Sequence, residues 1–134
     1  MTTRATGTFE VKVTPQPAES GGQYGVPGRM LLDKQLYGDL EGVSQGQMLA
    51  AGTAVKGSAG YVAMELVTGT LQGRRGSFIL QHSGTMNRGV PEMAISVVPD
   101  SGTEELTGIR GRFTILIADG KHSYEFEYEI GEGA

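Results

Sequence analysis

The residue best suited to chemistry in this chain is His82. It lies in the stretch 76–89, GSFILQHSGTMNRG, where Phe78, Leu80, His82, Gly84 and Met86 alternate with Ser77, Ile79, Gln81, Ser83 and Thr85. Alternation with period two reads as a β-strand with one mainly apolar face. An imidazole in the middle of that face titrates near neutral pH and serves as acid or base. The ordinary alternative is a core histidine bonded to a tyrosine or a backbone carbonyl.

A few other groups fall on apolar faces. Lys34 shares a face with Met30, Leu32 and Leu36. A buried amine there needs a carboxylate partner or a lowered pKa, and suits Schiff-base or proton-transfer chemistry. The more common place for such a lysine is a barrel rim, with its head in water. Glu65 stands between Ala63 and Val67, a candidate general base if it faces inward and an outward ion pair if it does not. Lys34, His82 and the arginines are its candidate partners. Tyr124 and Tyr128 share the parity of Phe126. Their hydroxyls could anchor a ligand oxygen or His82, or simply give core aromatics a polar handle. Phe78 and Phe126 complete the candidate ligand wall. His122 belongs at a rim beside Asp119-Gly120. Glu125, Glu127 and Glu129 read as a solvated face, and Arg74-Arg75 as a solvated turn with a weaker anion-gripping alternative.

Composition bounds what these groups can do. The chain has 134 residues, one domain's worth, with a formal net charge of −4 and no cysteine. Thiolate nucleophiles, disulfides and Cys-ligated zinc are excluded. With two histidines a metal site is not expected, and no cofactor fingerprint or phosphate loop occurs. No basic run exceeds Arg74-Arg75, so nucleic acid is not an expected partner. No apolar run of about 18 residues spans a membrane. MTTRATGTFEV lacks the apolar core of a secretory signal, and the expectation is a cytoplasmic protein. Glycine is the outlier at 22 residues, spread at turn spacing.

Those turns delimit the elements that must position the candidates. Strands are predicted at 6–14, 29–37, 40–51, 61–73, along 76–86, and at 92–98, 112–118 and 121–130. Segment 15–28 reads as an irregular loop across one end of the domain. Gly42 and Gly46 suggest bulges or bends in a weak third strand. Gly73-Arg74-Arg75-Gly76 reads as a tight hairpin connection, and 105–111 as a connector or short strand. In 61–73 both faces are apolar, with Val62, Met64 and Leu66 on one and Tyr61, Ala63 and Val67 on the other. The inward set is left open, and helix competes over 61–67. The predicted fold is all-β: an eight-stranded, mostly antiparallel, up-and-down barrel, which removes both sheet edges.

The stretches GDLEGVSQGQMLAAGTAVKGSAGYVAMELVTGTL, GSFILQHSGTMNRG and VVPDSGTEELTGIRGRFTILIADGKHSYEFEY, with GTFEVKV, resemble a bacterial family of unknown function. The resemblance covers nearly the whole chain. It implies a calycin-like barrel similar to that of plant allene oxide cyclase, and a homo-oligomer. It supplies no substrate, and no cyclase motif matches residue by residue, so no catalytic role carries over.

Three functions remain open. One is a barrel that binds a small hydrophobic molecule inside. Another is a cyclase or isomerase using an interior His, Glu or Tyr. The third is an interaction module with a filled interior. A homodimer is expected, joined through outward apolar residues of 61–67 and 76–83, including Ile79.

Overall fold

The computed structural model describes residues 2–16 and 26–131. Eight strands follow one another: β1 (Thr3–Pro15), β2 (Gly28–Gly38), β3 (Leu40–Gly52), β4 (Ala59–Leu71), β5 (Arg74–Asn87), β6 (Val90–Val97), β7 (Ile109–Ala118) and β8 (Lys121–Ile130). Each pairs antiparallel with the next, and β8 returns to β1 to close the barrel. Among the described residues the one helical element is a 3-10 turn, Glu104–Leu106. Of the irregular segment expected at 15–28, residues 17–25 lie outside the described residues; Pro15 ends β1 and Gly28 begins β2.

Period-two alternation decides what fills the interior. Phe9, Leu36, Leu40, Val67, Leu71, Phe78, Phe113 and Phe126 are all buried. Their rings interlock: Phe78 stacks on Phe126 at 5.5 Å and Phe113 on Tyr124 at 5.2 Å. Each such side chain contributes about 1.5–3 kcal/mol of hydrophobic stabilisation. Three turns carry positive φ at both central residues, Gln72-Gly73, Arg88-Gly89 and Asp119-Gly120. That geometry follows the strand twist of tight hairpins.

Residues 61–67 are strand, as predicted, and not the competing helix, because the neighbouring strands supply their hydrogen bonds on both sides. Other local expectations are corrected. Gly42 and Gly46 pair in unbroken register with β2 and β4, so neither is a bulge. The β4–β5 turn is Gln72-Gly73, and Arg74 and Arg75 already belong to β5. Segment 105–111 divides between the 3-10 turn and the start of β7.

The two ends of the barrel differ. At one, the β6–β7 connection inserts Leu106, which is fully buried. β6 and β7 share a single bridge, Ser96–Arg112. Where β6 stops, the connection takes its place beside β5: Val98 N–H donates to the Ile79 carbonyl at 2.9 Å and Ser77 N–H to Thr103 Oγ1 at 3.0 Å. The β2–β3 turn is clamped by Tyr124, whose hydroxyl accepts from Leu40 N–H at 2.9 Å and donates to the Tyr37 or Leu40 carbonyl. Tyr128 donates to Gln72 Oε1 of the next turn. At the other end inward-parity side chains reach solvent, with Val13 45%, Met93 47% and Ile117 65% exposed.

Tyr124→Phe removes the acceptor for a buried N–H. It is expected to lower unfolding free energy by about 1–3 kcal/mol, read by urea denaturation with far-UV circular dichroism. A change below ~0.5 kcal/mol would mean that the turn does not rest on this hydroxyl.

Candidate functional site

A polar stripe crosses the inner wall of β2–β5. Lys34 faces Ser44 across β2–β3, Gly46 faces Glu65 across β3–β4, and Ala63 faces His82 across β4–β5. From Ser44 to Glu65 to His82, each step moves one strand over and one inward position towards the open end. Stagger of this kind accompanies strand tilt in a closed barrel. Gly46 makes it possible. A Cβ there would sit 2.9 Å from Glu65 Cγ and 2.1 Å from the Met64 carbonyl oxygen. Glycine alone leaves room for Glu65 to lie across β3 towards Lys34.

Glu65 is the centre of the stripe, 1% exposed. Its Oε1 lies 2.9 Å from Lys34 Nζ and accepts from Ser44 Oγ at 2.9 Å. Its Oε2 lies 3.2 Å from Lys34 Nζ and 2.9 Å from His82 Nε2. The imidazole N–H is turned off the line to Oε2, so this contact is a close charge–dipole approach and not a straight hydrogen bond. Burial pushes the Glu65 carboxyl upward. Its contact with His82 and the charge of Lys34 outweigh that push and hold it at about 2. Tyr61, whose ring centroid is 6.1 Å from that of His82, is raised by burial and then by the negative charge of Glu65. The ammonium of Lys34 also sits 5.1 Å from the centroid of the Phe9 ring.

The structure thus brings together three residues singled out in the sequence, Lys34 and His82 by type and parity and Glu65 by type with its face left open. The ambiguous parity of β4 resolves with Tyr61, Ala63, Glu65 and Val67 inward. Lys34 is not at a rim, as its commoner role would place it; it is buried and ion-paired. Tyr124 and Tyr128 are core aromatics whose hydroxyls bond turns at the closed end, away from His82. Phe78 and Phe126 are fully buried in the packed core, away from the open end. His122 is half-buried with its ring 5.2 Å from Phe9. Ser44 and Tyr61 escaped notice as site residues, although Ser44 shares the parity of Leu40 and Met48, and Tyr61 that of Glu65. Among the described residues no cluster of three or more His, Asp or Glu could hold a metal ion.

Chemically the cluster is a carboxylate kept ionised in the interior, an ammonium that balances it, and an imidazole beside both. Lys34 and Glu65 are of opposite charge at 2.9 Å, and the imidazole of His82 lies 2.9 Å from the same carboxylate. Towards the open end the inward positions become apolar and partly exposed: Met30, Met48, Tyr61 and Met93. A concavity of about 760 Å³ is lined by Tyr61, Gly84 and Met93 together with the outward Leu49, Val62 and Ser83, and a second of about 480 Å³ shares those three outward residues.

The family model described as "Protein of unknown function (DUF3224)" matches residues 5–128. The chain is similar to a crystal structure of a DUF3224 protein of unknown function from Shewanella oneidensis MR-1. The two share 53% identity and a TM-score of 0.93 over 99% of this chain and 100% of that one. No curated protein matches the chain.

The depressed carboxyl has a pH signature. A group whose folded pKa lies below its ordinary 4.5 stabilises fully above that value and loses its contribution as pH falls towards about 2. The shift corresponds to about 3 kcal/mol. Glu65→Gln, which leaves Lys34 buried without a counter-charge, is expected to cost about 3–5 kcal/mol at pH 7. The gap to wild type should close between pH 5 and 2 in urea titrations; a constant gap would contradict the pairing. Should that variant fail to fold, Lys34→Met with Glu65→Leu removes both charges and should recover most of the loss.

Proposed function

The chain belongs to the DUF3224 family of proteins of unknown function, and from its geometry we propose that it is a small-molecule-binding barrel. The ligand has an apolar body and one polar head group. The body enters the open half, and the head meets the Lys34–Glu65–His82 cluster at its floor.

One observation carries this reading. Inward positions at the open end are apolar and left in solvent, directly above a buried charged cluster. Val13, Met93 and Ile117 are each 45% exposed or more while pointing along the same parity as the core. A barrel selected for stability alone gains about 25 cal/mol for every Å² of such surface it buries. Methionines suit this role, because their unbranched side chains adapt to irregular ligands. Four of the six in the chain, Met30, Met48, Met86 and Met93, occupy inward positions towards this end.

A second reading, a cyclase or isomerase, is favoured by the 2.9 Å approach of His82 to Glu65. An imidazole next to a fixed carboxylate can take a proton from a bound substrate and return it at another atom. Lys34 would polarise the substrate's oxygen, and the apolar walls would exclude water.

The test is a titration with a fluorescent fatty-acid probe, displaced by unlabelled tetradecanoate, on wild type, Met93→Asp and His82→Asn. Saturable binding should raise the melting temperature, by the equivalent of about 2.7 kcal/mol at a hundredfold excess over Kd. Met93→Asp should weaken binding at least tenfold with the fold intact, and His82→Asn should alter affinity for the head group. No saturable binding by wild type would leave the filled interior as the better reading.

A further inference from the structure

The outer face of β3–β5 is built differently from the rest of the surface. Val62, Met64 and Leu66 run down the outside of β4 at 54%, 48% and 47% exposure, flanked by Val43 and Leu49 of β3 at 44% and 48%. Between them lie uncharged polar residues, among them Gln45, Gln47, Gln81 and Ser83. Elsewhere the outer strand faces carry charge, as in Arg4–Glu127 and Arg110–Glu129. A closed barrel offers no strand edge for pairing, so any association must use a face.

The charges bounding this face are arranged about β4 with opposite sign. In one cross-strand row Glu41 of β3 and Arg75 of β5 flank Thr70, one strand on either side. Nearer the open end Arg29 of β2 and Glu92 of β6 stand two strands on either side. Among the described residues none of the four side chains has an ionic partner; Arg29 reaches only Gln47 Oε1, at 3.1 Å.

We infer that this face is the interface of a symmetric homodimer whose two-fold axis runs along β4. Such an axis sets each β4 residue against its own copy, where a charge would meet its like, and β4 carries none there. It also lays β3 of one protomer over β5 of its partner. Glu41 then opposes Arg75 twice, and Arg29 comes within side-chain reach of Glu92 twice. The distribution of sign is self-complementary about one line, and a partner of different chemistry would have no use for that symmetry. The concavity lined by Gln47, Leu49, Val62, Met64 and Gln81 supplies relief into which the partner's side chains pack. The inference is independent of what the barrel binds.

Sedimentation equilibrium and light scattering test it. Wild type should run at twice the 14.1 kDa of the chain. Met64→Glu places like charges on the axis and should give a monomer with unchanged circular dichroism. Arg75→Glu should raise the dimer Kd at least tenfold, and Arg75→Glu combined with Glu41→Arg should restore it to within a few-fold. A wild-type mass other than the dimer, a dimer that survives Met64→Glu, or a charge swap that restores nothing overturns the inference.

Discussion

A carboxylate with 1% of its surface exposed cannot rely on water, and the rest of this barrel is arranged around that fact. An unpaired charge at such depth carries a penalty of several kcal/mol. Glu65 avoids it by drawing partners from three other strands: Lys34 from β2, Ser44 from β3 and His82 from β5. Four consecutive strands are thereby pinned in one register. A slip of β4 by one residue would turn Glu65 to solvent and drive Val62, Met64 and Leu66 into the interior. The same pairing therefore sets the polar floor inside the barrel and the apolar stripe outside it.

Much of the architecture was legible because alternation is a local property. β1, β5, β7 and β8 each declare their inward face through runs such as Phe9-Val11-Val13 and Tyr124-Phe126-Tyr128. His82 could be assigned to the interior from its own strand. Glu65 could not, because β4 is apolar on both faces and only tertiary pairing decides which turns inward. Lys34 illustrates the same limit: parity placed it inward, but its depth depended on a partner 31 residues away. Gly46 read as a bulge or bend and is instead a cradle within an unbroken strand, since the side chain that needs the space lies on another strand. The two tyrosines were legible for face, but the partners of their polar handles were not, because their hydroxyls bond turns formed by distant residues.

Packing divides the barrel into halves with different work. The half closed by Tyr124, Tyr128 and Leu106 buries its aromatics and anchors its turns. The other half leaves apolar inward positions in water above the charged floor. Between the interior and the outer face of β4 there is only one layer of backbone. Met64 and Glu65 are adjacent in the chain and point to opposite sides, so a load on the outer face bears on the position of the carboxylate.

The return of β8 to β1 has a consequence for how the molecule reaches its fold. Seven of the eight seams join strands adjacent in sequence, and three of those hairpins have tight turns that form quickly. The eighth joins Thr3 to Tyr128, almost the length of the chain. Bringing the ends of a flexible loop of about 120 residues together costs roughly 4 kcal/mol of chain entropy before any contact rewards it. Barrel closure is therefore the late event, and high contact order places its folding among the slow domains, on the scale of milliseconds to seconds. Until that seam closes, β1 and β8 are two open edges.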